Sequence, residues 1–259
     1  IECLVGSEMC IRDRAGGVSG GLFVSYNGAN SWTKVTSYID AGASPNISSM
    51  TQTTDGTLYV ATGSNQEGSG NGVWYSQNFG ESWTKIPGTS NCTEIESSDI
   101  DNYAWLATNS GLKKFDASEG TLLSVSMGQA GGVNALKVSK DGFIIIANAS
   151  NKTLVSKDGG ETFENKSSNQ ASDNLVGVSF MRIEYTVSAS ENSAGMHSLY
   201  AVLTNSNLVG MYVSHDDGDT WTKFVGASAP PNEFDIYRNQ GTYNSICLLY
   251  TSPSPRDTR

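Results

Sequence analysis

The stretch Ser214-His-Asp-Asp-Gly-Asp-Thr-Trp221 decides the fold, because variants of it recur along the chain. A turn of this kind combines Ser and Asp side chains, which accept bonds from backbone N–H groups, with a Gly that tolerates positive φ. Three further copies keep the spacing and end in an aromatic residue: Ser25–Trp32, Ser76–Trp83 and Ser156–Phe163. These four eight-residue segments are called octet turns below.

The octets recur at intervals that identify a repeat. A fifth, decayed copy is in register with the others, since Gly111-Leu112 matches Gly72-Val73 and places Leu122 at the final aromatic position. The final positions 32, 83, 122, 163 and 221 are separated by 51, 39, 41 and 58 residues. Repeats of about 40–50 residues are typical of propeller blades. Each terminal Trp or Phe is therefore predicted to begin a strand and to bury apolar surface between neighbouring sheets.

The octet resembles the Asp-box, or BNR repeat, of sialidases, sortilin-type receptors, xyloglucanase-like enzymes and secreted bacterial propellers. The resemblance implies an all-β fold: an incomplete β-propeller of four-stranded antiparallel blades, in which the box is a structural turn away from the active site. It gives structural roles to the first, third and last residues of each octet: Ser25, Asn27, Trp32, Ser76, Asn78, Trp83, Ser156, Asp158, Phe163, Ser214, Asp216 and Trp221. Departures from the box are Asn27 and Asn78 at the Asp position, and Ala29 and Asp217 at Gly positions.

Alternation of apolar and polar residues between the turns predicts four strands per blade. Four complete blades are expected, with strands at 47–53, 57–62, 72–77 and 82–86; 93–97, 103–108, 111–115 and 121–125; 133–139, 143–148, 153–156 and 162–166; and 182–188, 198–204, 210–214 and 220–225. Only the last two strands of a preceding blade are expected, at 21–25 and 31–35, and one strand of a following blade at 241–246.

Composition and charge exclude several classes of function. The chain has 259 residues, with 16 basic against 26 acidic side chains and a formal charge of −10. This balance disfavours binding to nucleic acid phosphates, which needs a surface rich in Lys and Arg. No run approaches the roughly 18 apolar residues of a membrane-spanning helix. We therefore expect no nucleic-acid partner and no membrane insertion, while the oligomeric state stays open.

Both ends of the chain resemble translated sequencing adapter. LVGSEMCIRDR at 4–14 and CLLYTSPSPRD at 247–257 match opposite strands of one transposon-type oligonucleotide, the first as far as Asp13. We therefore expect residues 1–14 and 247–259 to be artefacts, and 15–246 to be a propeller fragment. Of the four cysteines this leaves Cys92 secure, with a structural thiol as its expected role.

Candidate binding residues come from the longest insertions. Topology places most of these, 36–45, 63–71 and 226–240, on the face opposite the octet turns, whereas 189–197 projects on the octet face. Loops on a rigid scaffold frequently carry function. Aromatic and charged side chains in two of these insertions form the predicted ligand site: Tyr38, Asp40, Phe234, Asp235, Tyr237 and Arg238.

No catalytic constellation is visible, but a glycoside hydrolase stays open as an alternative. A xyloglucanase-like enzyme needs two carboxylates across a cleft, and Asp40, Glu233 and Asp235 are loop acids on the presumed functional face. A sialidase would need an arginine triad, whereas only Arg182 and Arg238 lie outside the adapter-like ends. No cofactor or metal is expected, since the two histidines, His197 and His215, are predicted to be surface side chains.

The sequence thus favours an extracellular or cell-surface binding module for glycans or proteins. Export is supported by Gln240-Gly-Thr-Tyr243, which resembles the Q-G-x-Y strand opening of secreted bacterial Asp-box propellers. A hydrolase with catalytic residues partly in missing blades is the first alternative. An intracellular assembly factor of the photosystem-assembly type is the second, and it would need a basic patch that the sequence does not offer.

Overall fold

The computed structural model describes residues 3–7, 12–17, 20–63, 71–167, 175 and 182–226. Within these ranges the chain forms five four-stranded antiparallel sheets and one short helix. In every sheet, strands adjacent in sequence are also neighbours in space. The chain divides into two compact units, residues 1–126 with 130–134 and residues 127–129 with 135–259.

The first unit contains three sheets and the helix. Its strands are β1 (Cys3–Ser7), β2 (Arg12–Gly17), β3 (Gly21–Ser25) and β4 (Thr33–Val35) in the first sheet; β5 (Ile47–Gln52), β6 (Leu58–Thr62), β7 (Gly72–Ser76) and β8 (Thr84–Ile86) in the second; and β9 (Cys92–Ser97), β10 (Ala104–Thr108), β11 (Gly111–Asp116) and β12 (Thr121–Ser124) in the third. Helix α1 (Ser37–Asp40) connects the first sheet to the second.

The fourth and fifth sheets follow, and almost all of their residues belong to the second unit. Their strands are β13 (Val133–Val138), β14 (Ile145–Ala149), β15 (Lys152–Ser156) and β16 (Glu164–Asn165), and then β17 (Arg182–Val187), β18 (Leu199–Thr204), β19 (Leu208–Ser214) and β20 (Thr222–Gly226). All sixteen strands predicted for the four complete blades are present, with ends within two residues of the prediction.

The prediction for the first sheet is wrong in one respect. Two strands were expected there, but β1 and β2 complete a four-stranded sheet in which Ala15 pairs with Phe23 in β3. Such a ladder consists of main-chain hydrogen bonds, so it does not depend on a recognisable side-chain pattern. Strand β2 also crosses the expected domain boundary at residue 15. The strand predicted at 241–246 lies outside the described residues.

In the second, third and fourth sheets, the second strand is the most deeply buried. Every residue of β6, β10 and β14 is buried, and their sequences LYVAT, AWLAT and IIANA are almost uniformly apolar or small. A strand covered on both faces loses the alternation of a half-exposed strand. These strands therefore form the interior of their sheets, and polar side chains lie in the connecting turns.

Each octet turn joins the third and fourth strands of its sheet through the same hydrogen bonds. In the second sheet, Ser76 Oγ donates to Asn78 Oδ1 at 2.9 Å and accepts the Gly80 N–H at 2.8 Å. The other three octets repeat both bonds. The four Ser side chains are each 1% exposed. The first and third residues of each octet therefore hold the turn together through side-chain hydrogen bonds.

The terminal aromatic residues are not equally buried. Trp221 is 0% and Trp83 7% exposed, as predicted, whereas Trp32 is 37% exposed and Phe163 is half-buried. Trp83 packs with Leu22 and Tyr38 from the preceding sheet and its connection. The same position in the first sheet has no preceding sheet among the described residues. The prediction that Trp32 is buried between two sheets is therefore wrong.

Candidate functional site

The predicted ligand-site residues are not brought together in the described part of the chain. Tyr38 and Asp40 lie in helix α1, where Asp40 is exposed. Their four expected neighbours lie outside the described residues: Phe234, Asp235, Tyr237 and Arg238. Whether these side chains converge on a ligand therefore stays a prediction.

Tyr38 is a packing residue and not an exposed ring. It is 0% exposed, its hydroxyl donates to the Pro45 carbonyl at 3.0 Å, and the Leu22 N–H donates to it at 3.2 Å. Burial raises the pKa of the Tyr38 hydroxyl and outweighs the hydrogen bond from Leu22, which lowers it. The prediction that Tyr38 offers its ring to a ligand from a loop insertion is wrong, because the ring is buried against residues of the first and second sheets.

A groove of about 250 Å³ opens between the first two sheets. We call it the aromatic groove. Tyr26 and Phe79, each 60% exposed, line it together with Trp83. Leu22 and Val24 from β3 contribute apolar side chains. Exposed aromatic rings beside a concave apolar surface are typical of ligand-binding sites.

The backbone at Phe79 is unusual for an aromatic residue. Its φ is +61°, in the left-handed region that side chains other than Gly, Asn and Asp rarely adopt. Gly28 and Gly159 occupy the equivalent fourth position in the octets Ser25–Trp32 and Ser156–Phe163. A glycine there would relieve strain, and strained residues cluster at functional sites. Sequence reasoning treated the octets as structural and missed Phe79, although a large apolar residue at this turn position was the available signal.

Polar groups flank the rings. Lys34 and Glu81 both line the aromatic groove, and Glu81 is the one carboxylate among its lining residues. Hydrolysis of a glycosidic bond needs a pair of carboxylates, which this groove does not supply. The arrangement suits binding through aromatic faces and hydrogen bonds at the edges.

A second group of side chains in the second unit has the chemistry of a metal site. Ligand atoms of Asp141, Glu191 and His197 lie within 4.8 Å of one another. His197 is 4% exposed, so the prediction of a surface imidazole is wrong, whereas His215 is exposed. The group escaped sequence reasoning because its members are far apart along the chain.

Comparisons with known proteins address the fold and not the site. No family model and no curated protein matches this sequence. The GH74 xyloglucanase from Xanthomonas campestris has a similar structure, with a TM-score of 0.61 and 14% identity over 91% of this chain and 39% of that one. The extracellular domain of BT4673 from B. thetaiotaomicron has a TM-score of 0.57 and 14% identity over 90% of this chain and 28% of that one.

This is a β-propeller fold. The GH74 enzyme from Niastella koreensis is also similar, with a TM-score of 0.52 and 15% identity over 86% of this chain and 49% of that one. The propeller chain thus spans less than half the length of these proteins. At such identities the likeness concerns the fold alone. Among the described residues of the propeller, no helix is long and apolar enough to cross a membrane.

Proposed function

We propose that this propeller is an extracellular or cell-surface binding module that takes a neutral glycan in the aromatic groove, and that its octet turns are Asp-boxes. The observation that carries the proposal is Phe79, an aromatic ring that is 60% exposed on a backbone conformation better suited to glycine. A ligand that contacts the ring explains why the position is aromatic.

A glycan fits the aromatic and hydrogen-bonding chemistry of the groove. The rings of Tyr26 and Phe79 offer faces to the apolar side of a sugar, and Lys34 and Glu81 offer a donor and an acceptor to its hydroxyls. The formal charge of −10 disfavours polyanionic ligands. The extracellular context of BT4673 belongs to that protein, and it supports the proposed location of this one by analogy of fold only.

Screening the chain on an array of neutral oligosaccharides tests the proposal, followed by calorimetry on any ligand found. Wild type is compared with Phe79→Gly and Tyr26→Ala. We expect each substitution to weaken binding at least about tenfold if its ring contacts the sugar. Ile100→Ala is the matched control, since Ile100 is 64% exposed and does not line the groove.

Phe79→Gly separates binding from folding, because glycine suits the observed backbone and is found at the same position in two other octets. A loss of affinity in this variant therefore reports a lost contact. Equal affinity in wild type, Phe79→Gly and Tyr26→Ala would rule out the groove as the glycan site. Binding of a protein segment but of no glycan, with loss in the same variants, would reassign the groove to a protein partner.

A further inference from the structure

Three side chains with metal-ligating atoms meet in the second unit. Asp141 lies in the turn between β13 and β14, and Glu191 and His197 lie in the loop between β17 and β18. His197 Nε2 is 3.1 Å from Asp141 Oδ2, and one ligand atom of Glu191 lies within 4.8 Å of both. Two ligands held 2.0–2.2 Å from one tetrahedral ion are about 3.4 Å apart. The observed separation is close to that value.

The carboxylate of Asp141 is oriented by its own turn. Its Oδ1 accepts the Ser139 hydroxyl at 2.5 Å and the Phe143 N–H at 3.1 Å. The other oxygen, Oδ2, faces His197. The turn therefore holds one carboxylate oxygen and presents the other, which is how a monodentate ligand is prepared before an ion arrives.

The imidazole of His197 has a carboxylate on its far side. Asp217 Oδ1 accepts the His197 backbone N–H at 2.6 Å and lies 3.7 Å from Nδ1 of the ring. A carboxylate behind the distal ring nitrogen is the usual outer-shell partner of a metal-bound histidine. Asp217 has a φ of +55° at an octet position where Gly28 and Gly159 are found elsewhere. Asp is one of the residues that tolerate this conformation, so the octet position can carry a carboxylate in place of the glycine.

The loop that carries Glu191 is shaped by its own hydrogen bonds. Asn192 Oδ1 accepts the Ala194 N–H at 2.9 Å, and Asn192 Nδ2 donates to the His215 carbonyl at 2.9 Å. The Ser188 N–H donates to the Ser198 carbonyl at 2.8 Å and closes the base of the loop. Glu191 itself is exposed, so its side chain can swing onto an ion without disturbing the core.

We propose that Asp141, Glu191 and His197 form a binding site for a divalent transition-metal ion of the Zn²⁺ type, with Asp217 as the carboxylate that orients the histidine. One imidazole and two carboxylates suit zinc, whereas calcium takes six to eight oxygen ligands. Three protein ligands leave a fourth position for water or for a group from a partner. The ion joins the 189–197 loop to the β13–β14 turn, and it is independent of the aromatic groove.

The experiment uses the full chain without a histidine tag, stripped with a chelator and dialysed. Zinc chloride is titrated by calorimetry, and Co²⁺ is then bound as a spectroscopic probe of the ligands. We expect one equivalent of Zn²⁺, an affinity at least about tenfold weaker in Asp141→Asn and Glu191→Gln, and a loss of about 10–100-fold in Asp217→Asn. His215→Gln and Glu161→Gln, which alter an exposed histidine and an exposed acid outside the trio, are the controls and should bind as wild type does.

Two results would overturn the site. One is the absence of stoichiometric Zn²⁺ binding by wild type, which would leave the trio as an ion pair between His197 and its carboxylates. The other is equal affinity in wild type, Asp141→Asn and Glu191→Gln. Circular dichroism of the ion-free variants checks folding, and Glu191→Gln keeps the test decisive because Glu191 is exposed.

Discussion

The indole Nε1 of Trp83 donates a hydrogen bond to the Ser37 hydroxyl at 3.0 Å, and so ties an octet turn to the helix that follows the preceding sheet. The same indole N–H also reaches the Gly80 carbonyl at 3.1 Å, and Ser37 Oγ donates to that carbonyl at 2.5 Å. Trp221 repeats the local part of this arrangement by donating to the Gly218 carbonyl at 3.1 Å. Trp83 and Trp221 are therefore each both a hydrogen-bond donor to their own turn and a packing residue.

The unequal burial of the three octet tryptophans predicts unequal losses of stability. Trp221→Ala and Trp83→Ala should each lower the free energy of unfolding by about 3–5 kcal/mol, since both leave a cavity. Trp32→Ala is the control and should cost about 1 kcal/mol or less, because this side chain is 37% exposed. Denaturant unfolding measures all three. Equal losses in Trp32→Ala and Trp221→Ala would show that the two side chains contribute equally to packing, against their unequal burial.

Replacing Ser37 by Ala tests the hydrogen bond between the Trp83 indole and the Ser37 hydroxyl. Ser37→Ala should lower the free energy of unfolding by about 1 kcal/mol. The loss is small because the Trp83 N–H keeps the Gly80 carbonyl as acceptor. The same substitution in Trp83→Ala should have less effect, and a double-mutant cycle measures the difference. Full additivity would mean that the Ser37–Trp83 bond contributes nothing to stability.

Asn and Asp at the third octet position are predicted to be interchangeable. In the second octet Asn78 Nδ2 donates to Ser82 Oγ at 2.9 Å, whereas in the fifth sheet Thr220 Oγ1 donates to Asp216 Oδ2 at 2.6 Å. A hydroxyl can reverse its role, so Asp216→Asn should change the free energy of unfolding by less than about 1 kcal/mol. Asp216→Ala leaves the Thr220 N–H without its acceptor and should cost about 1–3 kcal/mol. Similar losses in both variants would contradict this interpretation.

Two octet aspartates, Asp158 and Asp216, are expected to make the free energy of unfolding fall at acidic pH. Hydrogen bonds from the Thr162 side chain and backbone lower the pKa of Asp158 to about 2. Burial alone would raise the pKa of Asp216, but hydrogen bonds from Ser214 and Thr220 outweigh it and lower that pKa. Both pKa values lie below the unfolded value of about 3.9. The two ionised carboxylates therefore contribute their full stabilisation to the folded protein above that pH. This stabilisation is lost as the pH falls toward about 2.

Thermal unfolding between about pH 5 and about pH 2 measures this contribution. This interval spans the range of about 2–4 in which the two carboxylates titrate. We expect the double variant Asp158→Asn and Asp216→Asn to lose less stability over that interval than wild type does. Glu161→Gln, at an exposed octet position, is the control for loss of a carboxylate that is not held by the turn. An identical pH profile in wild type and double variant would show that these carboxylates do not set the limit.

Cys92 should behave as an inert thiol in the folded protein. It is 2% exposed, its Sγ donates to the Glu94 carbonyl at 3.3 Å, and burial raises the pKa of the thiol. Alkylation at mildly alkaline pH should be about 100-fold or more slower in buffer than in denaturant. Mass spectrometry of the Cys92 peptide follows the reaction separately from the other cysteines. Fast labelling in buffer would show that β9 opens readily.

The adapter-like ends lead to a prediction about the source gene. We expect it to encode other residues before position 15 and after position 246. Since β2 pairs with β3 through main-chain bonds, a different sequence can form the same ladder. Reading the gene outward from the codons of Ala15 and Ile246 tests this. Finding the codons of residues 4–14 in the uninterrupted gene would remove the adapter interpretation.

The octet turns and most strand positions of the propeller could be predicted from the sequence alone, because both depend on residues close together in the chain. The Ser and Asp or Asn residues of an octet bond to backbone groups within the same turn, as Ser76 and Asn78 do. Such local chemistry is written in consecutive residues, and the alternation between turns then places the strands. The predicted strands agree with those of the structure because both signals depend on near neighbours.

What only the tertiary structure decided is which distant residues meet. Tyr38 looked like an exposed loop ring but is enclosed by the first two sheets, whereas Tyr26 and Phe79, hidden among turn residues, line the aromatic groove. Asp141 and His197 are 56 positions apart in the sequence, yet 3.1 Å separates their side chains. Contacts of this kind arise from the packing of whole sheets, which fixes positions that no local pattern encodes.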